Sequence, residues 1–235
     1  MRIKLAQCLS VWVLAVAVCT AAAQTAPNSR PSIEPPGNTE AEHHWFLPSA
    51  ASVSRKDAKP LTPAQKFEAF AQSATSPFNF AGLAAQAGVS QAADTFPEYG
   101  QGAEGYGKRY AAAFTNSTTH NFFSNFIFPV LLKEDPRYFR SGSGSSGHRT
   151  GYAIKQEFVG FKDDGRRTFN FSKILGALAS GAISNSYYPE NDRGVALTFR
   201  NAGISIGFGT VNGILKEFWP DISRKVFKKN SKPSK

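Results

Sequence analysis

The sequence predicts a mainly α-helical fold, a compact bundle of about five to seven helices rich in glycine and alanine. Four helix-length stretches carry no Lys, Arg, Asp or Glu, namely 69–93, 110–132, 174–189 and 201–215. A helix without charge packs against other helices or against lipid. Small residues also recur four apart, which gives a helix a smooth face for a close neighbour. The pairs are Gly176 with Ser180, Ala177 with Gly181, Gly203 with Gly207, and Gly209 with Gly213.

The N-terminus has the pattern of a secretory signal peptide, which we place at residues 1–23. Arg2 and Lys4 precede an apolar core at 9–18, and three alanines ending at Ala23 form a cleavage site. The core is shorter than the roughly 18–20 residues that a membrane span needs, which disfavours the alternative of a retained anchor. The sequence therefore predicts export, to the periplasm or to the outer membrane.

Loss of this segment would remove both cysteines, Cys8 and Cys19. Disulfides, thiolate zinc sites and cysteine nucleophiles are then excluded from the exported chain. Two of the 27 basic residues also leave, against 17 acidic ones, so the net charge falls to about +8. No metal or cofactor is predicted, because the His43-His44 pair has no further ligand at a suitable spacing.

Residues 24–60 predict a disordered linker, since prolines lie among small polar residues without any sustained period. The helical domain follows at 61–229, and residues 230–235 form a basic tail. Thr62, with Pro63 and Gln65 after it, predicts a capped helix start. Ser76-Pro77 ends this helix, and a second runs from 78 to 93. A turn-rich connector at 96–102 leads to a long segment, 103–132, that ends near Pro129.

In the second half, apolar spacing predicts a helix at 149–161, followed by a loop at 162–170 that contains Asp164-Gly165. Ser172 is a candidate cap for a helix that runs to residue 188. Asn191-Asp192 is the candidate cap for the helix at 193–218, and Pro220 begins a short last helix.

Two of these helices have an alternative. Residues 202–208 alternate apolar and small side chains, which fits a strand as well as a helix. Residues 152–161 and 168–174, joined through Asp164-Gly165, equally fit a β-hairpin. An outer-membrane β-barrel is therefore the alternative fold, although regular alternating segments with aromatic girdles are missing. If the fold is helical, the alternative to a compact bundle surrounded by water is a bundle that lies on or in a membrane.

Polar residues concentrate between 133 and 149. Arg137, Arg140, His148 and Arg149 flank a Gly/Ser loop, and guanidinium groups with flexible backbone amides suit phosphate or carboxylate. This predicts an anion-binding site, with a solvated linker as the alternative. No recognised catalytic motif is present, so the catalytic residues are unknown and a non-enzymatic role is favoured.

Part of this stretch resembles the membrane-associated phosphatidic acid phosphatase (PAP2) family. Lys133 and Arg140 have the spacing of that family's first motif, and Ser146-Gly147-His148 matches the end of its Pro-Ser-Gly-His motif. The resemblance implies phosphate binding, with His148 as general acid. However, no histidine follows to act as the family's nucleophile, and the two motifs are nearly contiguous. We therefore interpret the match as accidental.

The C-terminus predicts contact with a membrane surface. Aromatic residues beside lysines suit anionic lipid; the candidates are Trp219, Arg224, Lys225, Lys228 and Lys229. Anionic lipid or another envelope protein is the expected partner. Nucleic acid is not expected, because the chain is exported.

Four short motifs together resemble a group of uncharacterised exported bacterial proteins, over roughly residues 62–227. They are Phe96-Pro-Glu-Tyr-Gly-Gln-Gly, Gly105-Tyr-Gly-Lys-Arg109, Asp135-Pro-Arg-Tyr-Phe-Arg140 and Glu217-Phe-Trp-Pro-Asp-Ile222. That group supplies no catalytic role. We expect a non-enzymatic envelope protein that associates with a membrane surface. The alternative is a binder or hydrolase of a phosphorylated or carboxylated ligand.

Overall fold

The structure, a computed structural model, describes residues 58–227 of the 235-residue chain, with side chains as far as residue 222. The signal peptide, the linker as far as residue 57, and the side chains of Arg224, Lys225, Lys228 and Lys229 lie outside the described residues. Within the described part, the predicted mainly helical fold is confirmed. The helices are α1 (Pro63–Thr75), α2 (Pro77–Ala92), α3 (Gly102–Phe122), α4 (Phe128–Leu132), α5 (Ser146–Phe158), α6 (Phe171–Ser184) and α7 (Val195–Phe227).

Side-chain caps are present at the starts of three helices, α1, α5 and α6. The predicted box at Thr62 is confirmed, because its hydroxyl accepts from the Gln65 amide and the Gln65 side chain bonds back to the Thr62 amide. Ser145 caps α5, so this helix begins at Ser146, three residues before the predicted start at 149. Asn170, rather than Ser172, caps α6, since its side chain accepts from the amide of Lys173. Ser172 instead binds a buried carboxylate through its amide and hydroxyl.

Pro129 does not end the long third helix as predicted. A π-helical turn, Phe123–Ile127, continues α3, and Pro129 lies in the first turn of α4, where its missing N–H costs little. One-turn π segments widen a helix locally and occur often beside functional sites. The turn therefore marks a region to inspect for a binding site.

The predicted break at Pro220 is also wrong, because α7 runs through it without interruption. Proline removes a backbone donor and disturbs the carbonyls of the preceding turn. The missing N–H of Pro220 would have bonded to the carbonyl of Lys216. The carbonyl of the adjacent residue, Glu217, accepts from Arg140 Nε (2.8 Å) and Arg149 Nη2 (2.6 Å). The two arginines therefore anchor the turn of α7 that precedes the proline.

A small antiparallel sheet replaces the predicted loop at 162–170. Its strands are β1 (Glu134–Asp135), β2 (Val159–Lys162) and β3 (Arg167–Phe169), in the order β1-β2-β3, with Val159 opposite Phe169. The predicted helix therefore ends at Phe158, and the hairpin alternative was correct only for the residues after it. Phe161 is buried against Phe139, with ring centroids 5.2 Å apart, which draws this segment into the strand.

Small residues allow close packing around α6, as predicted. A Cβ on Gly176 would lie 2.8 Å from the Cβ of Ser124, and one on Gly181 would overlap the carbonyl of Thr198 on α7. Gly203 and Gly207 have open space instead, so their spacing does not serve packing. Residues 202–208 form part of α7, and the strand alternative is wrong.

The connector before α3 is organised by a buried arginine. Arg109 is 3% exposed and donates to the carbonyls of Thr95 (2.9 Å), Phe96 (3.2 Å) and Gly100 (2.5 Å). Phe96 then packs in a small core; its other members are Ala112, Tyr188 and Leu197. Gly100 therefore ends the connector, and residues 102–109 form the first turns of α3.

Several large apolar side chains remain exposed on α6 and α7. Phe171 and Leu175 lie one turn apart on α6, and Val195 and Phe199 lie one turn apart on α7, where Phe199 is 63% exposed. Within the described residues, no helix combines the length and the hydropathy required to cross a bilayer.

Candidate functional site

The predicted arginine site is occupied by the protein's own carboxylates. Glu217 on α7 is fully buried, with 0% exposure. Four donors bind its side chain: Tyr138 Oη (3.0 Å), the amides of Ser141 (3.0 Å) and Gly142 (2.9 Å), and Arg149 Nε (2.9 Å). Burial alone would raise the pKa of Glu217, but these donors outweigh it and lower the pKa below its ordinary value.

A second carboxylate, Asp221, lies one turn further along α7. Arg140 Nη2 and Arg149 Nη2 approach its Oδ2 at 2.8 and 2.7 Å. The Arg149 guanidinium also lies over the Phe218 ring, 4.4 Å from the centroid. Hydrogen bonds from Arg149, and then from Arg140, lower the pKa of Asp221. We call Tyr138, Arg140, Arg149, Glu217 and Asp221 the Glu217 cluster.

The four predicted anion-binding side chains are thus only partly brought together. Arg140 and Arg149 meet in the Glu217 cluster. Arg137 instead binds Asp135, with Nη2 2.6 Å from Oδ2, and donates to the carbonyl of Lys59 at 2.7 Å. His148 is exposed in the first turn of α5. The two clustered arginines are already neutralised by carboxylates, so this cluster stabilises the fold by joining the 138–149 segment to α7.

A second group of polar side chains surrounds an interior cavity of about 80 Å³, which we call the polar chamber. Its walls come from α3, the π-helical turn, α5, α6 and α7. The residues of its wall include His120, Ser124, Glu134, Asp135, Arg137, Glu157, Asn170, Lys173, Gly209, Asn212 and Lys216.

Glu157 and Lys173 form a buried ion pair in the chamber wall, with Nζ 2.7 Å from Oε2. Glu157 is 2% exposed. Its carboxylate lies directly against Gly209 of α7, where any Cβ would overlap it. A glycine at this position therefore lets the carboxylate reach the interior between the two helices.

Lys216 lines the same chamber and is the neighbour of Glu217 along α7. It makes no hydrogen bond or ion pair with any residue that the structure describes. Burial, and then the positive charge of Lys173, lower the pKa of Lys216 to about 8, while Glu157 opposes the change. A desolvated amine without a partner is what a ligand-binding or reactive site requires.

Two further wall residues have a buried atom without a hydrogen-bond partner in the described part of the chain: Glu134, through Oε1, and His120 of α3. Its Nδ1 is buried and has no hydrogen-bond partner within the described part of the chain. Burial lowers the pKa of His120 to about 4; Glu157 raises it and Lys173 lowers it. The imidazole is therefore neutral near pH 7, with one ring nitrogen as donor and one as acceptor.

A larger cavity of about 320 Å³, which we call the apolar cleft, adjoins the chamber between α2, α3 and α7. Apolar side chains dominate its outer part: Phe78, Leu83, Ile204, Phe208, Val211 and Leu215. The cleft and the chamber share His120, Asn121, Gly209 and Asn212, and also Ser73 of α1. Polar side chains such as Asn79, Gln86, Asn116 and Asn201 also line the cleft. A cavity that combines apolar surface with polar groups suits a small molecule.

The sequence did not single out Lys216, Glu157 or Lys173, because each lies in an ordinary-looking stretch of mixed charge. A signal was present elsewhere. His120, Asn121 and Asn212 are polar residues within stretches that contain no Lys, Arg, Asp or Glu. All three line both the chamber and the cleft. Polar residues inside charge-free helices thus mark the cavity.

Within residues 58–227, no three His, Cys, Asp or Glu side chains group in a way that could hold a metal ion. No protein-family model matches this sequence, and comparisons with curated proteins and with solved structures give no significant match.

Proposed function

We propose that this chain is an exported envelope protein that binds an amphipathic small molecule between α2, α3 and α7, without a catalytic step. The observation that carries the proposal is the shared wall of the apolar cleft and the polar chamber, to which His120, Asn121 and Asn212 contribute. The volume of the cleft, about 320 Å³, lies within the range of about 300–1,000 Å³ typical of ligand pockets. Export rests on the signal peptide that the sequence predicts.

The cleft mouth offers a direct test. Gly82 of α2 lines the cleft, and a Cβ there would lie 3.9 Å from Phe208 across the opening. We expect Gly82→Phe to fill the space and to weaken binding of the neutral probe N-phenyl-1-naphthylamine at least tenfold. Fluorescence titration of the exported chain, residues 24–235, measures the affinity.

Gly88→Phe is the matched control, because Gly88 lies on the same helix, outside the cleft, with open space around its Cα. It should bind the probe as the unaltered protein does. Equal affinity of both variants, or no probe binding by the unaltered protein, would refute the proposed function.

A second proposal is contact with an anionic membrane surface. Exposed apolar side chains on α6 and α7, among them Phe171, Leu175 and Phe199, support it, because apolar surface of this kind can contact a membrane. The basic residues after Trp219 supply the positive charge, and Trp219 itself is an aromatic residue of the type that suits a membrane interface. We expect co-sedimentation with vesicles of anionic but not zwitterionic lipid. Exchange of Arg224, Lys225, Lys228 and Lys229 for Gln should abolish it, and binding to neither vesicle at low salt would refute it.

A further inference from the structure

We propose that the ligand is an amphiphile with one carboxylate, whose head group pairs with Lys216 in the polar chamber while its chain occupies the apolar cleft. This inference rests on the proposed function and adds the chemical class of the ligand.

Charge balance within the chamber points to an anion. Each carboxylate of the wall already has a cation: Glu157 has Lys173 at 2.7 Å, Asp135 has Arg137 at 2.6 Å, and Glu134 has Lys162 at 3.8 Å. The wall holds three carboxylates and three cations, and Lys162, which approaches Glu134 from outside the wall, is a fourth cation. Lys216 is the wall cation without an ion pair among the described residues. A buried charge is unfavourable unless it is paired, so an incoming anion gains more here than at any exposed lysine.

Hydrogen-bonding groups surround the place where the head group would lie. Neutral His120 contributes an imidazole with an unpartnered buried Nδ1. Asn121 and Asn212 stand at the junction of cleft and chamber, where their amides can donate to a carboxylate oxygen. His120, Asn121 and Asn212 therefore place polar groups where the two cavities share a wall, while Asn79, Asn116 and Asn201 add polar groups elsewhere in the cleft.

Size separates carboxylates from larger anionic heads. The chamber, at about 80 Å³, has room for a few water-sized groups, which fits a carboxylate but not the glycerophosphate head of a phospholipid. The cleft, at about 320 Å³, has about four times the volume of the chamber and would hold the chain of the ligand. Among the described residues, the phenylalanine rings that line the cleft are those of Phe78 and Phe208, both of them partly exposed to solvent.

Protonation of Lys216 controls this pairing, so binding should depend on pH. The groups that face the amine are His120 from α3, Glu157 from α5 and Lys173 from α6, with Glu134, Asp135, Arg137 and Tyr138 from the segment around β1. Burial and Lys173 lower the pKa of the amine to about 8. The preference for a carboxylate should therefore be full near pH 6.5 and lost by pH 9.5.

The experiment compares three ligands of one chain length. Decanoate, decanol and decylamine compete with bound N-phenyl-1-naphthylamine at pH 7, and calorimetry measures their direct binding. We expect decanoate to bind at least tenfold more tightly than decanol, and decylamine to bind most weakly. Lys216→Met should remove the preference for decanoate and leave decanol binding unchanged.

Two further variants keep the result interpretable. Lys216→Arg retains a cation and should retain the preference, while Lys155→Met removes an exposed lysine of α5 and should change nothing. Decanol binding without a preference for decanoate, tighter decylamine binding, or a preference that survives in Lys216→Met would overturn this inference alone. Failure of all three ligands and of the probe to bind would overturn the proposed function with it.

Discussion

Two consecutive residues of α7 occupy opposite electrostatic environments. Glu217 is fully buried and accepts four hydrogen bonds through its side chain. Lys216 lines a cavity and has no bonded partner among the described residues. The pKa of Glu217 is lowered, which favours its charged form, whereas the lowered pKa of Lys216 disfavours its charged form. A satisfied charge stabilises a fold, and an unsatisfied one is available for a ligand.

The largest expected effect comes from breaking the satisfied side. Glu217→Gln removes the negative charge and leaves Arg149 and the loop amides poorly paired, so we expect a loss of about 3–5 kcal/mol in the free energy of unfolding. Urea denaturation at pH 7 measures it. Lys216→Met, at the neighbouring position, should cause no loss of stability. Equal destabilisation by both changes would show that the two residues do not differ in role.

The pH dependence of stability should sharpen the contrast. The pKa of Lys216 is about 8 in the folded protein and near 10.4 in the unfolded chain, so the unfolded state binds more protons between these values. Stability should therefore rise with pH from about 8 to about 10.4, by at most about 3 kcal/mol. Urea denaturation across this range, with Lys216→Met as reference, isolates the contribution. A constant difference between the two proteins would contradict the lowered pKa.

Two glycines of α7 provide the smallest test. Gly209→Ala would press a methyl group into the Glu157 carboxylate in the chamber wall, and we expect a loss of about 1–3 kcal/mol. Gly203→Ala adds the same group to the same helix in open space, which should stabilise by about 0.5–1 kcal/mol. Thermal unfolding of both variants gives the sign of each effect. A stabilising Gly209→Ala would mean that the chamber is looser than described.

The sequence was a good guide to the helices and a poor one to the site. Charge-free stretches and the Thr62 cap identify helices because both are local signals. Pro129 and Pro220 misled the boundaries, because the helix continues through both. A π-helical turn precedes Pro129, and two arginines bind the carbonyl of Glu217 in the turn before Pro220. The strand at Val159–Lys162 likewise depends on contacts with distant residues.

The arginines were recognised as a group, but their carboxylate partners were not, because Glu217 and Asp221 lie about 70–80 residues away in sequence. Arg140 and Arg149 therefore looked available for a ligand when they are already paired. Lys216 looked like one more charge in a mixed segment. Pairing between distant residues decides which charge is free, and a single sequence does not contain that information.

The short distance between the two environments has a consequence for how occupancy can be observed. The loop amides of Ser141 and Gly142 donate to Glu217. The adjacent residue of α7 is Lys216, which lines the chamber. If a bound molecule stabilises this part of α7, we expect hydrogen exchange at those two amides to slow. Their exchange rates would then report whether the cavity is occupied.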